Sequence, residues 1–172
     1  MDEPEWASTW EDHTSAFDRV RSVVMAVPDP QSASWIADRA HVAESTAREH
    51  LDRLAEMGAV AIDADEDCRR YGPDPAYLRF REIRTLTDEH DRSELGDLVV
   101  DLKESIADTA ERYDAETPAE LRAAAAEADV TPEETRTMHR AAADWEHYSY
   151  RLSLLDDAIT HYDAYTKSAT PA

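Results

Sequence analysis

Only three glycines occur in 172 residues, so a glycine-rich phosphate loop has almost nowhere to sit. Neither G-x-G-x-x-G nor G-x-x-x-x-G-K-[ST] can be read in the chain. The single cysteine, Cys68, excludes an internal disulfide framework. No apolar run approaches the roughly 18–20 residues of a membrane span. The opening Met1-Asp2-Glu3-Pro4-Glu5 is acidic, the reverse of the basic, then apolar start of a secretory signal. Seven histidines are scattered, with His139 and His147 two helical turns apart, and no H-x-x-x-H or Cys/His cluster gives tight metal spacing. No serine elbow or His-directed nucleophile is present, and in so acidic a chain an Asp–Glu pair at any spacing is expected by chance. These absences predict a cytoplasmic protein that is not an enzyme and takes no metal or cofactor.

Charge is what the chain has in excess. Thirty-nine acidic residues face eighteen basic ones, a net −21. A chain this acidic is either disordered or suited to a cytoplasm of multi-molar salt. In such salt, charges are screened over a few Å, and a carboxylate-rich surface keeps the protein hydrated. The apolar periodicity argues against disorder. Lys103 and Lys167 are the only lysines, every other basic residue being Arg. Scarce lysine with abundant Asp, Glu and Ala resembles haloarchaeal usage.

Phe17, Val20, Val24 and Val27 follow helical spacing from Thr14, and Pro28 and Pro30 end that helix. Ser32-Ala33-Ser34 reads as extended, with Ser34 as N-cap of a short helix through Arg39. His41-Val42-Ala43 is a tight turn. A second helix runs from about Glu44 to Met57, with Ala47, Leu51 and Leu54 inward, and Gly58 stops it. Residues 59–63 alternate as a strand, Asp65-Glu66-Asp67 turns, and Cys68-Arg69-Arg70-Tyr71 returns, which makes a hairpin. The rest is helical. Residues 76–88 carry Tyr77, Phe80, Ile83 and Leu86. A helix follows Asp91 with Leu95, Leu98, Leu102, Ile106 and Tyr113. Thr117-Pro118-Ala119-Glu120 and Thr131-Pro132-Glu133-Glu134 are capping boxes. The first opens an Ala-rich helix to about Ala128. The second opens a helix to about Tyr165, roughly 50 Å long, whose near-3.5 apolar spacing suits helix packing.

A short helix, a three-residue turn and a longer helix make a helix-turn-helix unit. Ile36 and Ala37 pack its first helix, Val42 fills the turn, and Leu51 and Leu54 seat its second. Glu44, Ser45, Thr46, Arg48, Glu49 and Asp52 or Arg53 are left outward, where short polar groups can meet base edges in the major groove. Arg48 suits a guanine edge. Arg53, one turn on, suits phosphate, and Ser34 is also assigned to DNA binding. Arg69 and Arg70 lie on the returning strand, where a wing would cross the backbone or minor groove.

The run Ile36-Ala37, Val42, Ser45-Thr46, Leu51, Leu54, Gly58-Ala59-Val60 resembles winged helix-turn-helix regulators of the broad ArsR/MarR type. More narrowly, the Trp residues ahead of the unit and Tyr71-Gly72-Pro73-Asp74-Pro75 after it are similar to a haloarchaeal group of such regulators. The resemblance implies a homodimer on a pseudo-palindromic operator in double-stranded DNA, with dimer contacts from flanking helices. Ala43 departs from the pattern, since a Ser or Asp cap is usual there.

The expected fold is mainly α: a winged helix-turn-helix domain with one small β-hairpin and a C-terminal helical dimerisation region. Residues 1–13 form an arm or short helix, 14–75 the DNA-binding domain, 76–166 the dimerisation region and 167–172 a disordered tail. Dimer contacts are assigned to Trp6, Trp10, Leu95, Leu98, Leu102, Trp145, Leu152, Leu155, Ile159 and Tyr162. The function is sequence-specific regulation, as a repressor, in high salt. Two alternatives stay open. From Trp35 to Arg70 nine acids outnumber five Arg, a balance of −4. That is unlike most DNA readers and suits a protein-interaction adaptor. A sensor is the other alternative. Cys68 beside Arg69 and Arg70 could answer oxidants, though Asp65, Glu66 and Asp67 oppose its thiolate. Tyr148, Tyr150, Tyr162 and Tyr165 with Trp145 could line a pocket for an unknown effector or serve as dimer core.

Overall fold

The computed structural model describes residues 14–65, 68–127 and 130–166. Trp6 and Trp10, the rest of the proposed arm, the tail 167–172 and the side chain of Cys68 lie outside the described residues. The chain is mainly helical with a small three-stranded antiparallel sheet. It divides into two compact units, Met1–Phe80 and Arg81–Ala172.

In the first unit, helix α1 (Ala16–Val24) starts at Ser15, whose side chain accepts from the Asp18 N–H. It ends four residues before Pro28, sooner than the prolines alone require, and Val27 is buried beyond its end. A two-residue strand, β1 (Gln31–Ser32), then leads straight into α2 (Ala33–Ala40). Ser32, not Ser34, is the N-cap: its Oγ accepts from the Trp35 N–H at 3.2 Å. Ser34 sits in the first turn, its hydroxyl 3.0 Å from that of Ser32. The stretch Ser32-Ala33-Ser34 is therefore extended only at Ser32, because pairing with the sheet holds that residue in β geometry and releases the next.

His41 closes α2 in the left-handed region (φ 52°), an uncommon place for a residue with a side chain. Helix α3 (Glu44–Glu56) follows, with Ala43 at its N-cap making no side-chain hydrogen bond. Gly58 takes φ +72°, which its missing Cβ allows, and turns the chain into β2 (Val60–Asp65). Strand β3 (Cys68–Pro73) returns in register, Ile62 opposite Tyr71 and Asp63 opposite Arg70. β3 is the middle strand, because Gln31 and Ser32 pair with Tyr71 and Arg70 on its other edge. At Gly72 the backbone runs close to Pro30: a Cβ there would come within 3.3 Å of the Pro30 ring, tighter than ordinary contact.

The core of this unit is Val20, Val24, Ile36, Ala40, Ala47, Leu51, Leu54, Val60 and Tyr71, each no more than 3% exposed. Each large apolar side chain here contributes about 1.5–3 kcal/mol by leaving water. Arg19 is buried among them and uses its charge on backbone. Its guanidinium donates to the carbonyls of Ala40 at 2.9 Å and Thr14 at 2.7 Å. This ties the start of α1 to the end of α2.

Helix α4 (Pro75–Glu89) contains the division between the units. In the second unit, α5 (Arg92–Tyr113) opens with a full capping box from Asp91 and Glu94. Helix α6 (Pro118–Ala124) is capped by Thr117, but Glu120 reaches back to the Glu116 N–H, so its box is only half made. It stops short of the expected Ala128. The expected long helix is α7 (Pro132–Thr160), with its Thr131/Glu134 box complete. Its 29 residues span about 44 Å at 1.5 Å each. His161 (φ −108°) interrupts it, and a short α8 (Tyr162–Thr166) follows.

The apolar stripes of α5 and α7 meet inside one chain. Leu95, Leu154, Leu155 and Ala158 close one cluster with Ile83 and Leu86. Leu121, Ala142 and Trp145 close another. Of the residues assigned to dimer contacts, Leu95 and Leu155 are 0% exposed and Trp145 only 6%, packed in the chain's own core. Leu98, Leu102, Leu152, Ile159 and Tyr162 are half-buried. Heptad-like spacing announces a helical partner but not whether it lies in the same chain. The aromatic pocket is also not assembled. Trp145 packs in one cluster while Tyr162 and Tyr165 pack against the other, and the Tyr150 hydroxyl donates to Glu82 at 2.6 Å.

Candidate nucleic-acid interface

Most of the residues singled out from the sequence are exposed on the first unit, and Arg69 of β3 reaches α3 through Asp52. Leu51 and Leu54 pull one side of α3 into the core, which turns the opposite side to solvent. Glu44, Ser45, Arg48, Glu49 and Arg53 are exposed there, and Thr46 is half-buried. Ser34 is exposed on α2. Arg69 and Arg70 are exposed on β3. The turn between α2 and α3 is the three residues His41, Val42 and Ala43, with Val42 packed on the core.

The four arginines are not equivalent. Arg48 is paired with Glu44 one turn earlier on α3. Arg69 lies 3.5 Å from the Asp52 carboxylate, so a wing-position cation is tied to the helix. Arg53 has its guanidinium 5.4 Å from the Phe17 ring centroid. Arg70 is exposed, and among the described residues no carboxylate pairs with Arg53 or Arg70. Exposed pairs such as these contribute about 0–1 kcal/mol each and exchange readily. A phosphate can therefore compete for Arg48 and Arg69, while Arg53 and Arg70 need give up no ion pair.

Tyr71 was not in the sequence-derived set of contact residues and Asp52 stood there only as an alternative to Arg53, yet the two join β3 to α3. Tyr71 is 1% exposed and donates its hydroxyl to Asp52 Oδ1 at 3.4 Å. Burial, then the Asp52 charge, pushes the Tyr71 phenol above its ordinary value, so it stays a donor. Asp52 thus receives Tyr71 from beneath and Arg69 from the side, fixing β3 against α3. A signal was available in the sequence: Asp52 stands four residues after Arg48, on the same helix face.

Among the described residues no group of three or more His, Cys, Asp or Glu is placed to hold a metal ion. Nor is any described helix long and apolar enough to cross a membrane. A model of a protein family, described as a family of unknown function (DUF7342), matches residues 14–164. No curated protein and no solved structure matches the chain.

Proposed function

The chain belongs to the DUF7342 family, and we propose that it is a sequence-specific DNA-binding regulator of the winged helix-turn-helix type. One observation carries this reading. Arg69 and Tyr71 of β3 both meet Asp52 of α3, which fastens the β2–β3 hairpin to the helix whose exposed face presents Ser45 and Arg48. In this reading α3 enters the major groove, with Ser45, Thr46 and Arg48 nearest base edges. Arg53 and Arg70 take phosphates, and the β2–β3 hairpin is the wing. Ser34, in the first turn of α2, meets the flanking backbone, where the helix start favours an anion.

The regulator acts as a homodimer in a high-salt cytoplasm, its two α3 helices reaching successive major grooves about 34 Å apart. With Leu95, Leu155 and Trp145 already internal, the half-buried Leu98, Leu102, Leu152, Ile159 and Tyr162 are left as its contact candidates. It represses by occupying its operator. Acidic groups beside the interface hold cations next to the phosphates, so affinity falls less steeply with salt than for a basic reader.

The direct test is capture of fragmented genomic DNA in about molar KCl, comparing the native chain with Arg48→Ala/Arg53→Ala. A dyad-symmetric site enriched by the first and lost by the second supports the proposal. A second reading is favoured by the two carboxylates that already hold Arg48 and Arg69: a winged-helix adaptor that binds protein. A folded, dimeric native chain that enriches no DNA would move the conclusion there.

A further inference from the structure

The turn between α2 and α3 lacks the local devices that commonly set such a turn. Its first residue, His41, stands in the left-handed region at φ 52° and ψ 52°, where a Cβ is disfavoured. Its last, Ala43, gives α3 no side-chain cap. Helix α2 also ends, like any helix, with carbonyls that it cannot satisfy itself.

The hold comes instead from α1. Arg19 is 9% exposed, and its guanidinium donates to three backbone carbonyls. Nε meets Ala40 at 2.9 Å, Nη2 meets His41 at 3.4 Å and Nη1 meets Thr14 at 2.7 Å. Two of these acceptors are the last residue of α2 and the left-handed residue that follows it. The negative end of the α2 dipole lies there too, which suits a cation. A guanidinium presents its donors in one rigid fork, so it fixes the spacing of its acceptors as well as binding them. A Lys ammonium is a single point and would fix no spacing. Burial keeps Arg19 itself away from phosphate.

We infer that Arg19 is the positioning residue of α3. By gripping Ala40 and His41 it sets the angle at which α3 leaves α2, and so where Ser45, Thr46 and Arg48 stand. Helix α3 starts three residues after His41, so a change of backbone angle there swings all three together. The consequence for recognition rests on the DNA-binding reading; the grip on the turn does not.

Specific and non-specific affinity separate positioning from stability. The operator recovered by genomic capture and random-sequence DNA are each titrated at a temperature where circular dichroism shows every variant folded. Arg19→Met keeps the stem and removes the donors. It should lower operator affinity about tenfold or more, the worth of one good base contact. Random DNA, held by phosphates, should bind within about twofold of the native chain. Val24→Ala, at another buried position of this unit, destabilises without removing any hydrogen bond of the turn and should leave the operator-to-random ratio alone. A native ratio in Arg19→Met, or an equal loss in Val24→Ala, would overturn the role. Arg19→Lys serves where Arg19→Met does not fold, and a native ratio in it would show that charge alone suffices and overturn the three-point grip. Amide exchange in the free protein tests the grip without DNA. Either Arg19 variant should speed exchange at His41, Val42 and Ala47, whose N–H groups donate to Ala37 and Ala43, about tenfold more than along the β2–β3 ladder. Equal acceleration throughout the first unit would overturn the grip. A native chain that binds no DNA would sink the DNA-binding reading and the positioning role with it, while exchange still decides the grip.

Discussion

Replacing Ala43 by Ser should stabilise the first unit at the start of α3. Ser15, Ser32, Asp91, Thr117 and Thr131 each accept a backbone N–H at the N-cap of their helices, whereas Ala43 offers α3 nothing. The backbone is already shaped for the missing group: Ala43 has φ −65° and ψ 146°, against −69° and 155° at Ser32. Ala43 is exposed, so a hydroxyl meets no core atom. A cap of this kind contributes about 1 kcal/mol, within a range of roughly 0.5–2. If all 172 residues melt together, that is roughly 3 °C in Tm, and about 6 °C if the first unit melts by itself. Thermal unfolding followed by circular dichroism reads the change, with Ser32→Ala as the reverse control at about −1 kcal/mol. Ala43→Asp separates stability from binding. It should stabilise at least as well, because a carboxylate suits a helix N-terminus, yet weaken DNA binding by adding a negative charge at the contact surface. The reasoning fails if Ser32→Ala lowers Tm while Ala43→Ser leaves it unchanged.

Three further outcomes follow from the same geometry. Arg53→Ala and Arg70→Ala should each weaken DNA binding across sequences and reduce the salt slope by about one, whereas Glu44→Gln, which frees Arg48, should tighten binding. Fluorescence anisotropy on the recovered operator across a KCl series reads both signs, and a tighter Arg53→Ala complex would contradict the assignment. Leu51→Ala, at a side chain 0% exposed, should cost about 2–5 kcal/mol, seen in urea unfolding of the first unit. In the second unit, the hydrogen bond from Arg122 holds the Glu146 carboxyl below its ordinary 4.5, and the Thr131 hydroxyl does the same for Glu134. Both depressions stabilise the folded state above pH 4.5, and that stability is lost as pH falls through the lowered values. Glu146→Gln should therefore narrow the stability gap between pH 6 and pH 3, and an unchanged gap would show that the Arg122 pair contributes nothing.

Much of the first unit could be read from residue order. The helix from Glu44, its stop at Gly58 and the hairpin after it all follow from periodicity and turn chemistry, and Leu51, Leu54 and Ala47 are buried where spacing put them. Strand β1 could not be read, because two residues have no period; it exists only because the edge of β3 offers partners to Gln31 and Ser32. That pairing also moved the α2 cap from Ser34 to Ser32. The arginines of α3 and β3 were legible as exposed cations, but the pairing of Arg69 was not. Arg69 meets Asp52 only once β3 folds back over α3. In the second unit, the stripes on α5 and α7 were visible as apolar faces. That they satisfy each other within one chain is a matter of three-dimensional return, which spacing along either helix does not encode.

Ser32 has a consequence as a piece of machinery. Its backbone is laced to Arg70 on the middle strand, while its hydroxyl holds the first turn of α2. It is a rivet through two parts. A hairpin that swung away by itself would drag that oxygen with it and unwind the start of α2. Hairpin and helix therefore travel as one plate, and an incoming surface must accept the spacing between Ser34 and Arg70 as given. Any adjustment has to come from side chains above that plate, which is where the exchangeable pairs of Arg48 and Arg69 leave slack.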